Sequence, residues 1–285
     1  MEIRDSPYPG PVGTSDRGIL YPARLPTFRR VAPPASVADR VRWFWIPEWD
    51  LAPGRVSRQH VIAFPACNLV VEPGFVALAG PATRADVRDL TGRGWAVGAL
   101  LQPAAVPALT PDPAAERDGY RHLDLPDLHA AVVAAMTSPD PDPDSDPGPG
   151  PDPDPGPGRH DRAVAAFTAW VEARVPVPDA DGRLANAMAA AVDEDPALVR
   201  VEQVAARLAV SVRTLQRLAR RHVGVPPAAM IRRRRLQEAA ELVRERPGTD
   251  LAALAAELGY ADQAHLAQDF RTTLGFTASS YRSAQ

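Results

Sequence analysis

The sequence predicts a two-domain α+β protein: a mostly antiparallel β domain with a short helix, then an all-α domain of two helix-turn-helix units joined by a linker helix. Short runs rich in Val, Ile, Phe and Trp, separated by Pro and Gly, fill the first half and are typical of strands. A stretch of Pro, Asp and Gly follows. Helix-period apolar spacing then continues to the end of the sequence. At 285 residues the chain is long enough for two domains.

Positive charge is concentrated in one region of an acidic chain. The 32 basic residues are all arginine, and the net charge is −3. Residues 199–246 nevertheless hold twelve Arg against four Glu, a net of +8. Such segregation indicates a nucleic-acid-binding segment.

Composition also limits the other classes of protein. No apolar run approaches the roughly 18 residues of a membrane span, and the first residues, MEIRDSPYPG, lack a signal-peptide pattern. Cys67 is the only cysteine, which excludes an intramolecular disulfide and a Cys-rich zinc site. We expect a cytoplasmic protein that binds no membrane, cofactor or metal.

The β domain is predicted over residues 18–137, after a disordered extension at 1–17. Its strand-like runs are VRWFWIPEW, HVIAFPACNLVVEP, FVALAGP and GWAVGALLQP. They indicate a small antiparallel sheet or barrel, which a helix over residues 124–136 closes. The domain is expected to act in sensing or dimerisation.

Three tryptophans of this domain raise a choice between packing and ligand binding. Trp43 and Trp45 would share one strand face, and Trp95 lies in a later strand. They either pack in the core or line a pocket for a small apolar or aromatic effector. His60, Cys67, His122 and His129 are scattered without recognised metal-ligand spacing and are interpreted as structural residues.

A disordered linker is predicted over residues 138–158. Pro139 to Gly158 comprises nine Pro, six Asp, four Gly and one Ser, which can form neither a core nor a ladder. We expect a spacer of about 60 Å, at about 3.1 Å per residue. It is either passive or an acidic competitor for the arginines. A helical connector follows at 159–183, with Val164, Phe167, Trp170 and Val171 on one face.

The region 184–285 contains an internal repeat. VEQVAARLAVSVRTLQRLARRHVGVPPAAM matches LAALAAELGYADQAHLAQDFRTTLGFTASSY, with corresponding Ala, Leu and Gly residues 50 or 51 positions apart. A self-similar pair of short helical units indicates a duplicated supersecondary motif.

The first unit is a helix, a turn capped by Ser211, and a second helix that ends at Gly224 before Pro226 and Pro227. The inward face of that second helix is predicted to be Leu215, Leu218, Ala219 and Val223. Its outward face is predicted to be Arg213, Gln216, Arg217 and Arg220. Guanidinium and amide groups at this spacing suit base edges in the major groove of double-stranded DNA.

The second unit follows the same plan, with caps at Asp250 and Asp262 and a turn at Gly259. Its inward residues are predicted to be Leu266, Phe270 and Leu274. The residues predicted to face DNA are Gln263, His265, Gln268 and Arg271.

A connecting helix joins the two units. Its packing stripe is predicted to be Leu236, Ala239, Ala240 and Val243. We expect Arg232 and Arg233 to reach phosphates and Arg235 to pair with an acid of the second unit.

The segment from Leu184 to Gln285 resembles the DNA-binding domain of AraC/XylS-type transcriptional regulators. The resemblance is carried by LAVSVRTLQRLARRHVGVPPAAMIRRRRLQEAAELV and LAALAAELGYADQAHLAQDFRTTLGFTASSYR. It implies that the second helix of each unit enters a major groove. The residues that would then read bases are Arg213, Gln216 and Arg217 in one groove and Gln263, His265 and Gln268 in the next.

Residues 18–136 resemble a poorly characterised domain found ahead of such units in bacterial regulators, through VRWFWIPEWDLAPG, PACNLVVEPG and GRGWAVGALLQPAA. The candidate partners besides DNA are RNA polymerase, a small-molecule effector and a second copy of the chain. The competing class is an enzyme or a DNA-repair protein that uses the same DNA-binding domain for targeting. A methyl-accepting repair domain would need several cysteines, and this chain has one.

Overall fold

The computed structural model describes residues 27–61, 64–84, 86–140, 157–246, 248–275 and 277–283. The predicted extension at 1–17 and most of the predicted linker lie outside these ranges. The strands are β1 Thr27–Val31, β2 Val41–Asp50, β3 Val56–Val61, β4 Asn68–Glu72, β5 Phe75–Ala79, β6 Asp86–Thr91, β7 Arg93–Trp95, β8 Val97–Leu101 and β9 Tyr120–Leu123.

The strands form the predicted antiparallel sheet. Its order is β1-β2-β8-β4-β5-β9, with β7 paired to β2, and β3 and β6 pair separately as a two-stranded ribbon. Every pair is antiparallel. Strand β8 lies between β2 and β4, and all five of its residues are buried. The mostly antiparallel amino-terminal domain is therefore confirmed.

Alternation along β2 decides which aromatic residues enter the core. Phe44 and Ile46 are buried in it, so Trp43 and Trp45, one residue out of phase, lie on the opposite face and are half-buried. The Trp45 indole packs on β8 because Gly98 has no side chain. A Cβ there would lie 2.1 Å from the Trp45 ring.

Two helices, α1 (Pro126–Thr137) and α2 (Arg159–Arg174), pack against each other and complete this core. The buried residues of α2 include Phe167, whose ring centroid is 5.5 Å from that of Phe44. Val164 and Val171 are buried as predicted, and Trp170 is partly buried. The predicted connector helix thus contributes to the amino-terminal core.

The two ends of the Pro/Asp/Gly stretch are held together. Arg162 donates to the carbonyl oxygens of Ser138 (3.0 Å) and Pro139 (3.2 Å) on one side and of Pro157 (2.7 Å) on the other. Asp140 accepts from the backbone N–H of Arg159. A segment whose ends meet does not separate two domains by about 60 Å, so the spacer expectation was wrong.

The carboxy-terminal region is all helical. Its helices are α3 Ala180–Glu194, α4 Val201–Arg207, α5 Val212–His222, α6 Pro227–Glu245, α7 Leu251–Glu257, α8 Gln263–Leu274 and α9 Ala278–Ser283. One core joins α3, α4, α5 and the start of α6, and a second joins the rest of α6 with α7, α8 and α9. This arrangement is the predicted pair of helix-turn-helix units joined by a linker helix.

The predicted helix caps are present. Ser211 Oγ accepts from the Thr214 N–H (3.1 Å), Asp250 from the Ala252 N–H (3.2 Å) and Asp262 from the His265 N–H (2.8 Å). Each cap satisfies a backbone donor that the first turn of a helix leaves free. The second helix of each unit, α5 and α8, therefore begins at a residue fixed by the local sequence.

The two turns differ at one equivalent position, where Ala209 (φ 53°) stands in the first unit and Gly259 (φ 70°) in the second. A left-handed conformation costs a non-glycine residue roughly 1–2 kcal/mol. Glycine accepts it at an entropic cost of roughly 0.5–1 kcal/mol. The first turn therefore carries strain that the second avoids.

We predict that Ala209→Gly raises the free energy of unfolding by about 0.5–1 kcal/mol, as the difference between these two costs. Gly259→Ala should lower it by about 0.5–1 kcal/mol, the same difference with the opposite sign. Ala253→Gly, on the exposed face of α7, is the control and should lower it by about 1 kcal/mol. Urea denaturation of the full chain measures all three, and an Ala209→Gly loss equal to that of the control would contradict the prediction.

Candidate nucleic-acid interface

The first candidate surface is the outward face of α5. Leu215, Leu218, Ala219 and Val223 are buried, as predicted. The four predicted contact residues on the opposite face, Arg213, Gln216, Arg217 and Arg220, are all exposed. The buried row fixes the rotation of the helix, so the polar row has a defined direction.

One of these four residues already has a bidentate partner. Arg217 donates from Nη1 and Nη2 to the two carboxylate oxygens of Asp181, at 2.5 and 3.1 Å. Arg221 Nη1 lies 4.0 Å from the same carboxylate. The hydrogen bond from Arg217 holds the pKa of Asp181 below its usual value, and the Asp181 carboxylate raises the pKa of Arg217. Sequence reasoning missed Asp181, which lies on α3, 36 residues earlier.

The carboxy-terminal end of α5 touches the amino-terminal domain. His222 is 3% exposed, and its Nδ1 donates to the carbonyl oxygen of Pro103 at 3.2 Å. Burial lowers the pKa of His222, which favours the neutral ring. Gly224 ends the helix with φ 89°, and a Cβ there would lie 2.4 Å from the carbonyl oxygen of Pro113. The orientation of this recognition helix is thus tied to the first domain.

The arginine run of α6 divides by burial. The side chain of Arg232 is 66% exposed, and its Nε lies 4.0 Å from Asp269. Arg233 is only 5% exposed and donates to the carbonyl oxygen of Ala82 at 3.1 Å. Burial lowers its pKa to about 10. The expectation that Arg233 reaches a phosphate does not fit this packing, because the side chain points into the amino-terminal domain.

The next two arginines bind within the protein. Arg234 is 2% exposed and donates to both carboxylate oxygens of Glu238 at 2.9 Å. Arg235 donates to the carbonyl oxygen of Leu258 at 2.7 Å and lies 3.9 Å from the centre of the Tyr260 ring. The partners of Arg235 are therefore a backbone carbonyl and an aromatic ring of the second unit. The prediction that Arg235 pairs with an acid of that unit was wrong.

The second candidate surface is the outward face of α8. Leu266, Phe270 and Leu274 are buried as predicted. The predicted contact residues Gln263, His265, Gln268 and Arg271 are exposed. Arg271 donates to Gln268 Oε1 at 3.3 Å, and the His265 ring contacts Tyr260 edge-on at 5.2 Å. These contacts order the polar face before any ligand arrives.

Asp269, which follows Gln268 on α8, is buried. It is 8% exposed, so it points away from the outward face of α8. The pKa of the Tyr260 hydroxyl is raised, chiefly by burial and to a smaller extent by the neighbouring Asp269.

The three tryptophans proposed for an effector each have contacts within the protein. The guanidiniums of Arg30 and Arg42 lie over the Trp43 ring, 4.6 and 4.8 Å from its centre. The Trp45 Nε1 donates to Asn68 at 3.0 Å, and Trp95 packs against the core. A cavity of about 250 Å³ does open in this domain, but its aromatic wall is Trp170. An effector site at the three residues stays a prediction.

Other chemistries find little support in the described part of the chain. There, no three His, Cys, Asp or Glu side chains lie close enough to hold a metal ion. Burial raises the pKa of Cys67 to about 12, so its thiol stays protonated. No helix within the described ranges is long and apolar enough to cross a bilayer.

Comparison with protein families gives two matches. Residues 204–284 match a helix-turn-helix domain, and residues 29–121 match a domain of unknown function, DUF6597. The first match covers both candidate surfaces, and the second covers most of the sheet.

Two curated proteins resemble the carboxy-terminal region. The HTH-type transcriptional activator RhaS of Escherichia fergusonii is 32% identical over 102 residues, which are 36% of each protein. An uncharacterised HTH-type transcriptional regulator of Haemophilus influenzae is 30% identical over 102 residues, 36% of this chain and 34% of the relative. The chain thus spans about a third of the length of these relatives.

Among solved structures, two of ToxT from Vibrio cholerae are similar at 11% identity. An apo variant from strain SCE256 has a TM-score of 0.42, covering 88% of this chain and 98% of that one. ToxT from strain O395 has a TM-score of 0.39, covering 90% of this chain and 95% of that one.

The family matches and the two folded units together lead to one assignment: the chain carries an AraC/XylS-type helix-turn-helix domain behind an amino-terminal domain of unknown function.

Proposed function

We propose that the protein is a sequence-specific DNA-binding transcriptional regulator that places α5 and α8 in successive major grooves. The observation that carries the proposal is the outward face of α5. Arg213, Gln216, Arg217 and Arg220 form an exposed row there, while the opposite face of the helix is fixed in a core. Surface arginines without such a fixed helix would have no defined direction.

The proposed roles follow from hydrogen-bond geometry. Arginine donates two bonds to guanine O6 and N7, and glutamine makes a matched pair with adenine N6 and N7. Each good bidentate contact discriminates by about 1–3 kcal/mol. Residues proposed to read bases are Arg213, Gln216 and Arg217 on α5 and Gln263, His265 and Gln268 on α8. Residues proposed to bind phosphates are Arg220, Arg232 and Arg271.

The amino-terminal domain is proposed to modulate this activity. The bonds of His222 and Arg233 to carbonyl oxygens of that domain support the idea, because a change in the domain would reach both α5 and α6. We further propose a cytoplasmic, non-enzymatic regulator that contacts RNA polymerase and dimerises through the first domain. A small-molecule effector remains part of the proposal.

The proposed base reader Arg217 gives the direct test. Selection from a random DNA pool with the full chain should recover a preferred site. On that site we expect Arg217→Ala to weaken binding by about 1–3 kcal/mol and to relax the preference at one base pair, measured by gel shift at fixed salt. Arg174→Ala is the control, because Arg174 is an exposed arginine of α2 that pairs with Asp127 of α1. Equal affinities for the two variants would refute the role of Arg217.

The neighbours Arg232 and Arg233 form a second test. Arg232→Ala should reduce the slope of log K against log salt concentration by about 1, because one phosphate contact is lost. Arg233→Ala should leave the slope unchanged, since the native side chain is buried against Ala82. If Arg233→Ala reduced the slope as much as Arg232→Ala does, the Arg233 side chain would have to leave its buried position when the protein binds DNA, which would contradict the prediction.

A further inference from the structure

The bidentate pair between α3 and α5 uses the donors that DNA recognition would need. Both terminal nitrogens of Arg217 are bonded to Asp181, at 2.5 and 3.1 Å. A guanine contact needs the same two-donor fork. The side chain of Arg217 is 47% exposed and that of Asp181 33% exposed, so both lie at the surface that would meet DNA.

The carboxylate is presented by a helix whose start is well fixed. Asp179 caps α3 by accepting from the Gly182 N–H at 2.7 Å, so Asp181 itself is not needed as a cap. A Cβ on Gly182 would lie 3.1 Å from Ala104 Cβ of the amino-terminal domain.

Two further contacts attach α3 to that domain. Asn186 donates to the carbonyl oxygen of Asp39 at 2.7 Å and accepts from the Ala104 N–H at 2.8 Å. At the other end of the helix, Asp193 forms an ion pair with Arg42. The position of Asp181 therefore depends on the first domain.

From this geometry we infer that Asp181 is a specificity-determining residue, which competes with DNA for the guanidinium of Arg217. The inference rests on the proposed function. In the free protein the carboxylate of Asp181 accepts both hydrogen bonds of the guanidinium, and only a base that offers two acceptors restores both of them on DNA. Asp181 thus lowers the affinity for every sequence and penalises most those without a guanine at that position. Because α3 is attached to the amino-terminal domain, a shift of that domain would change the competition.

The test is a double-mutant cycle on the full chain, with the site selected by the native protein. We expect Asp181→Asn to bind that site about fivefold more tightly, because the guanidinium of Arg217 then no longer has a carboxylate partner. In the Arg217→Ala background the same change should give no gain in affinity, because the carboxylate of Asp181 then has no guanidinium to bind. Asp127→Asn removes an exposed acid on α1 and is the charge-matched control.

Three outcomes would overturn the inference. Asp181→Asn could leave affinity unchanged or weaken it, which would make the carboxylate a support for Arg217. The gain could persist without Arg217, which would show simple repulsion between Asp181 and phosphates. It could also appear in Asp127→Asn, which would show an effect of net charge. If the native protein selected no sequence at all, the proposed function would have failed instead, before the cycle begins.

Discussion

The packing of α3 between the amino-terminal domain and the first helix-turn-helix unit is the interaction on which the rest of the structure depends. Ala185, Met188 and Val192 lie in the core of that unit. Asn186 bonds to the backbone of the amino-terminal domain. One helix therefore belongs to the core of one domain and to the surface of the other. The direction in which α5 presents its arginines follows from this double attachment.

The same attachment explains why equal charges in one short region have different roles. Arg232 and Arg233 are adjacent, yet one lies at the surface and the other is buried against Ala82. A helix turns by about 100° per residue, so neighbours in a run of arginines point to different surroundings. A count of positive residues overstates the charge available to DNA, and the packing of α6 decides which of them remain outside.

The sequence predicted the parts that depend on local chemistry. The caps at Ser211, Asp250 and Asp262 were predicted because a capping side chain binds an amide two or three residues away. The buried and exposed faces of α5 and α8 followed from helical periodicity. The antiparallel sheet followed from strand-like runs, although its order did not.

Contacts between distant segments were not predictable from local patterns. Nothing around Arg217 indicates that its partner lies 36 residues earlier on α3. Arginine is a residue type that binds phosphates, yet the position of Arg233 makes it a contact between the two domains. The Pro/Asp/Gly stretch has the composition of a spacer, yet Arg162 binds residues at both of its ends. In each case tertiary packing decides the role of the residue or segment. Local patterns in one sequence do not indicate which distant segments come into contact.

We propose that two fixed helices, α5 and α8, present their polar faces to successive major grooves. Methylation of guanine N7 blocks an acceptor that lies in the major groove, so methylation interference on the selected site tests the claim directly. We expect interference at two clusters on one side of the duplex, about one helical turn or 10 base pairs apart. A single cluster, or binding that major-groove methylation leaves untouched, would contradict it.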